Sequence, residues 1–283
     1  MLDLDRLPDD RRDLASILRA LRTAAGLSGE RLAARCNLSQ TKVSRIETGK
    51  AVPTVAEVEL ILHALATPPE VAERLLQLAR VANTDFTNLR AFAEAGLWRA
   101  QEAITALIRS STQVRQFLAV MPSGLLQTED YARAVLTQTK GKVGRDVERT
   151  VAARLATQAT LHDPGRRFSF LATENAIRWP VGNPKIMAGL CDRLAQVAEY
   201  PNVKLAIVPR DAWLPERPLH YFTLYDSRLA VTELFTGVMT HRDPKDIARL
   251  AAVFDTFSEH AVTGSAVTEL LSHVRSDFMR QRN

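Results

Sequence analysis

Ser28 to Lys50 is the stretch of this 283-residue chain whose residue types point most directly to a chemistry. Arg31, Arg35, Lys42, Arg45 and Lys50 stand there against Glu30 and Glu47, an excess of three positive charges. Gln40, Thr41 and Ser44 add neutral hydrogen-bond donors and acceptors. Such groups hydrogen-bond and neutralise anions, and no nucleophile with an adjacent base stands among them. The chemistry is electrostatic and hydrogen-bonding recognition.

A second polar set is Glu174, Arg178, Trp179, His220, Tyr221 and Glu233, at strand ends or in adjacent loops, where small-molecule pockets form. The competing reading is that Glu174 and Arg178 pair across one helical turn and that Trp179 fills core volume. A Glu and a His can act as acid and base, which leaves an enzymatic domain fused to the recognition element as an alternative. No catalytic residue is assigned, because the six His (63, 162, 220, 241, 260, 273) have no compact metal spacing and no Gly-rich phosphate loop or Gly-x-Ser-x-Gly elbow occurs. No metal and no cofactor is expected. The two cysteines, Cys36 and Cys191, have no ligand spacing and read as buried small hydrophobes.

The recognition stretch needs helices to present it. Leu14, Ile17, Leu18 and Leu21 follow the i, i+3, i+4, i+7 spacing of one helical face, and Gly26 ends that helix. Ser28 caps a short second helix whose inner face is Leu32, Ala33 and Cys36. Asn37 tolerates the left-handed conformation of a tight turn, and Leu38 tucks under the corner. Ser39 caps a third helix that turns Val43 and Ile46 to the core, leaves Gln40, Thr41, Lys42, Ser44 and Arg45 outside, and closes at Gly49. A fourth helix carries Val58, Ile61, Leu62 and Leu65, and a fifth runs from Pro69 to about Ala82.

The run from Leu32 to Lys50, with small residues at the helix crossing and an Ile46-Glu47-Thr48-Gly49-Lys50 ending, resembles the XRE family of Cro/CI-like helix-turn-helix regulators over about residues 12 to 83. The resemblance implies a double-stranded DNA operator as partner, with helix 39–48 in the major groove. It makes Gln40, Thr41, Lys42, Ser44 and Arg45 the base contacts, Gln suiting adenine and Lys or Arg suiting guanine. Ser28, Gly29, Thr48 and Lys50 would hold phosphates. One such helix reads few base pairs, so a homodimer on two half-sites is expected.

After a polar break at 83–88, helical spacing resumes at Leu97, Gln101, Ile104 and Ile108, with further helices at Tyr131 to Leu136 and Asp146 to Leu161. Phe168 to Thr173, Val203 to Val208, Leu219 to Tyr225 and Leu229 to Leu234 read as four strands of a mixed sheet. The helical segment Pro184 to Glu199 is long enough for a parallel crossover, and Asp226-Ser227 suits a hairpin. Helices from Pro244 to about His260 and from Ser265 to about Met279 are expected to cover one side of the sheet. The expected fold is mainly α with a smaller α+β part: a five-helix bundle over 9–83, a linker over 84–92, and a regulatory and dimerisation domain over 93–283.

Gly124 to Leu136 (GLLQTEDYARAVL) looks like the signature of XRE-type regulators from actinomycetes with an antitoxin-like C-terminal domain, although Ser123 interrupts the usual Pro-Gly-Leu-Leu-Gln-Thr run. That resemblance implies transcriptional control with a small partner protein encoded nearby or a small-molecule effector, and no catalytic activity. The alternative within it is an antitoxin-like partner-binding protein that autoregulates its operon. The charge balance alone decides nothing, since the first 83 residues hold twelve basic against eleven acidic residues. No apolar run approaches the roughly 20 residues of a membrane span, and the start lacks a secretory leader, so a cytoplasmic, nucleoid-associated location is expected.

Overall fold

The computed structural model describes residues 11–88, 96–138 and 146–280. Contacts divide the chain into two compact units, Met1–Asp85 with Thr240–Asp246, and Phe86–Met239 with Ile247–Asn283.

The first unit is five helices: α1 (Arg11–Ala24), α2 (Gly29–Cys36), α3 (Gln40–Glu47), α4 (Val55–Ala64) and α5 (Pro69–Ala82). Each boundary has a local cause. Gly26 takes φ 66° and closes α1, Asn37 takes φ 53° after α2, and Gly49 takes φ 68° after α3. Ser28, Ser39 and Thr54 each accept a backbone N–H of the helix that follows, and Thr54 with Glu57 completes a reciprocal capping box. Leu14, Leu18, Leu32, Val43, Ile46, Val58, Ile61, Leu75 and Ala79 share one core. The expected five helices and their inner faces are present, with Leu21 and Leu65 only partly buried against that core.

The second unit holds most of a sheet, two of whose strands, and one of whose following helices, run across the boundaries at Asp85, Thr240 and Asp246. Its strands are β1 (Thr84–Asn88), β2 (Gln113–Leu118), β3 (Arg167–Thr173), β4 (Val203–Val208), β5 (Phe222–Tyr225), β6 (Leu229–Leu234), β7 (Gly237–His241) and β8 (Val262–Thr263), in the order β1-β7-β6-β5-β2-β3-β4-β8. Its helices are α6 (Leu97–Arg109), α7 (Glu129–Gln138), α8 (Val147–Gln158) with a 3₁₀ turn to His162, α9 (Glu174–Arg178), α10 (Pro184–Ala198), α11 (Pro244–Ser258) and α12 (Ser265–Arg280). The sheet is mixed, as expected: β3 is parallel to β2 and β4, and β5 is antiparallel to β2 and β6.

The sheet has eight strands, not the four expected. The largest omission is β2, which lies centrally between β3 and β5. Its sequence QVRQFL carries two glutamines and an arginine, so no clean alternation marks it, and Gln116 is buried all the same. β8 is two residues long, and β1 lies in the stretch expected to be a linker. The strand expected from Leu219 starts only at Phe222, with Leu219 exposed.

The last two helices also differ from expectation, since they pack on opposite faces of the sheet. Alternation along β3 and β4 sends Phe168, Phe170, Leu205 and Ile207 to a core shared with Leu190 of α10 and Leu271 of α12. It sends Leu171, Ala206 and Val208 to a core shared with Ile247, Phe254 and Phe257 of α11. Strands buried on both faces read as continuous apolar runs, which conceals which face a following helix covers.

Candidate nucleic-acid interface and a polar site in the second unit

In the first unit, α2, the Asn37 corner and α3 form a helix-turn-helix. The Asn37 and Leu38 amides donate to the Ala34 and Ala33 carbonyls, and the Ser39 hydroxyl accepts the Lys42 amide at 3.1 Å. With Val43 and Ile46 fully buried, the opposite side of α3 is fixed outward. At 3.6 residues per turn, Gln40, Ser44, Thr48, Thr41 and Arg45 fall in an arc of about 140°, and all five are exposed. Neither Arg45 nor Lys50 makes an ion pair with a described residue, so both cations are available to a partner.

Lys42 lies beyond the Arg45 edge of that arc and pairs with Glu57 of α4 at 3.0 Å. Glu57 thus holds Lys42 while also accepting the Thr54 amide. Among the predicted phosphate contacts, Ser28 is exposed and its oxygen already accepts the Arg31 amide at 3.2 Å, leaving the Gly29 amide at the open first turn of α2. The Thr48 hydroxyl donates to the Ser44 carbonyl at 2.8 Å and keeps acceptor capacity. The far end of α3 is pinned by Arg22, which donates to both Glu47 carboxylate oxygens at 2.6 and 2.8 Å and to the Leu27 carbonyl at 2.7 Å. The hydrogen bonds to Glu47 raise the Arg22 pKa above its ordinary value.

In the second unit, the turn before α7 and the inner side of α8 build a polar site. Arg154 donates to the Gln127 side chain at 2.7 Å, and its stem lies so close to Gly124 that a side chain there would crowd it. Gln158 donates to the carbonyls of Gly124 and Gln127 at 2.9 and 2.7 Å, and Gln127 donates to that of Pro122 at 2.8 Å. Tyr131, Tyr221 and Glu233 lie within electrostatic reach of Arg154.

Residues 101–273 match the family described as "Domain of unknown function (DUF5753)". The chain belongs to that family. Residues 13–75 match a helix-turn-helix domain. No curated protein matches the chain at a significant level. Among solved structures, NucT from Helicobacter pylori is 12% identical with a TM-score of 0.35, over 64% of this chain and 98% of its own. TrmBL2, described as an archaeal chromatin protein showing a novel mode of DNA binding, is 13% identical with a TM-score of 0.34, over 89% of this chain and 93% of its own. At these scores neither likeness establishes a shared fold.

Within the DUF5753 region, the six residues expected to line one ligand site fall into separate groups. Glu174 is buried and fully engaged: Arg178 donates to one oxygen at 2.5 Å and the Arg210 amide to the other at 3.0 Å. Arg178 donates on to Asp277 of α12 at 2.7 Å, so this pair ties α9 to the last helix. Trp179 does not fill core volume; at 73% exposure it lines a shallow groove of about 280 Å³ with Val120, Val135 and Val181. His220 sits edge-on to Phe222, and its burial lowers its pKa. Only Tyr221 and Glu233 share a site, and they share it with Arg154.

Sequence reasoning missed Arg154, Gln127 and Gln116 as polar site residues. The one local signal was the Gly124–Leu136 run itself, whose glycine and glutamine hold Arg154. Among the described residues, no cluster of three His, Cys, Asp or Glu is placed to hold a metal, and no helix is long and apolar enough to cross a membrane.

Proposed function

We propose that the protein is a sequence-specific transcriptional regulator that reads double-stranded DNA through α3. The observation that carries this is the exposed polar arc of α3, capped by Ser39 and seated on buried Val43 and Ile46, within a matched helix-turn-helix domain. In this reading the domain is of the XRE type. Gln40 and Arg45 read base edges from the centre of the major groove, with Thr41 and Ser44 beside them. Lys42 joins them once its half-buried pair with Glu57, worth about 1 kcal/mol, opens. Ser28, Gly29, Thr48 and Lys50 contact phosphates and set the register.

The nearly neutral charge of the DNA-reading segment favours a homodimer, whose two half-sites lie about 10 base pairs apart or a multiple of that. The protein would act in the cytoplasm on the nucleoid. The second unit has a regulatory rather than catalytic task, answering to a small partner protein or an effector, as the antitoxin-like resemblance suggests. Selection of binding sites from random duplex DNA by the full chain, followed by a salt titration on the winner, tests the reading. An enriched palindromic site whose affinity falls steeply with salt is expected. No enrichment over random duplex would overturn it.

A further inference from the structure

The polar site around Arg154 holds two buried groups whose hydrogen-bonding capacity is unmet. The Arg154 Nε has no partner and no solvent contact, although the same guanidinium donates to Gln127. Gln116, on the central strand, donates to Thr223 at 3.1 Å and leaves its Oε1 buried without a partner. Thr223 donates to the Tyr221 hydroxyl at 3.3 Å, and Tyr221 lies within electrostatic reach of Ser123, so the residue that interrupts the Gly124–Leu136 signature borders the same network. Buried polar groups are almost always satisfied, and orphans gathered in one place call for an absent partner.

The charges point the same way. Arg154 and Glu233 attract one another, yet they form no ion pair within 4.0 Å. Glu233 is reached by solvent, while burial still raises its carboxyl above the ordinary carboxylate range. Continuing the β5–β6 register sets Glu233 opposite Tyr221, on the sheet face that also carries Thr223 and Gln116. Tyr131 and Tyr221 lie within electrostatic reach of Arg154, Tyr221 and Tyr225 within reach of Glu233, and burial is the main cause that raises the pKa of each ring hydroxyl. A simple anion would meet Glu233 and a simple cation would meet Arg154, so each is disfavoured by one wall.

We propose that this polar site binds a small amino-acid zwitterion, its carboxylate on the Arg154 Nε edge and its ammonium toward Glu233. Three tyrosine rings and the Ser123 hydroxyl would form the walls, and an ammonium or amide hydrogen would reach Gln116. This rests on reading the second unit as the sensing half of the regulator.

The test is calorimetric titration of the full chain with the twenty proteinogenic amino acids, with acetate and ethylammonium as single-charge controls. At least one amino acid should bind once per chain and raise the melting temperature, and neither control should. Arg154→Met and Glu233→Gln should each weaken that binding at least tenfold, while Arg249→Ala, on the exposed face of α11, leaves it unchanged. Glu233→Gln alters a solvent-reached side chain isosterically, so it remains informative if Arg154→Met does not fold. No binding across the panel, equal binding of acetate, or binding that survives Glu233→Gln would overturn the site. DNA affinity measured with and without the bound amino acid separates the two readings. Binding without any effect on DNA would leave the site standing and remove the sensing role; loss of the site leaves DNA reading by α3 untouched.

Discussion

Arg22 is the residue whose removal reports most directly on how α3 is held. Its guanidinium bonds both oxygens of Glu47 and the Leu27 carbonyl, and the paired side chains are only 15% and 9% exposed. Arg22→Met would leave the Glu47 carboxylate enclosed without a counter-charge. Breaking a well-buried pair costs about 3–5 kcal/mol, and partial exposure lowers the expectation here to about 2–4 kcal/mol. Set against about 5–15 kcal/mol for a whole domain, that loss is large. It should appear first at the C-terminal end of α3, as amide hydrogen exchange at least about thirtyfold faster over residues 40–48. Trp98, Trp179 and Trp213 all belong to the second unit, so tryptophan fluorescence should stay native while exchange in α3 rises. Replacing both partners, Arg22→Met with Glu47→Leu, should recover much of the loss, because the cost lies in the stranded charge. Exchange in α3 left at its original rate in Arg22→Met, or a double variant as unstable as the two singles added, would refute the staple.

Four further outcomes follow from the same contacts. Arg45→Ala should cost about 1–3 kcal/mol and relax preference at one base position, whereas Lys50→Ala should weaken all sequences alike and reduce the salt slope by about one; a selection experiment on each variant distinguishes them. Glu57→Gln keeps a capping side chain at the third position of α4 but releases Lys42, so the salt slope of DNA binding should steepen by about one with little change in melting temperature. Gly237→Ala should destabilise the second unit by about 1–3 kcal/mol in urea, because a Cβ there collides with the Thr87 carbonyl and the Phe86 ring. Asp277 is held below the ordinary carboxylate range by the hydrogen bonds from Arg178 and Arg280. Its folded pKa is depressed, so its contribution is present above the unfolded value of about 3.9 and lost as pH falls through the lower folded value. Urea midpoints read by tryptophan fluorescence should drop across that acid window in the wild type, and more shallowly in Asp277→Asn.

The first unit was legible because its determinants are local. The apolar spacing of Leu14, Ile17 and Leu18, the Ser28 and Ser39 caps and the left-handed Asn37 each act within a few residues, and each acts as read. The second unit depends on partners far along the chain. Gln116 looks like a break in a strand until β3 and β5 close on either side of it. Arg154 reads as one more solvated cation on a helix, since its acceptor Gln127 precedes α7 and its counter-charge Glu233 lies on β6. The Glu174–Arg178 pair shows the reverse: its place at a strand end suggested a ligand site, but the competing one-turn pair is what forms, and Asp277 and the Arg210 amide complete it. Lys42 marks the limit even inside the legible unit. By type it matches Arg45, but Glu57, supplied by the next helix, tethers it at the edge of the exposed arc. Composition and spacing therefore identify which surface can recognise a partner, and long-range pairing decides which of its charges are available to do so.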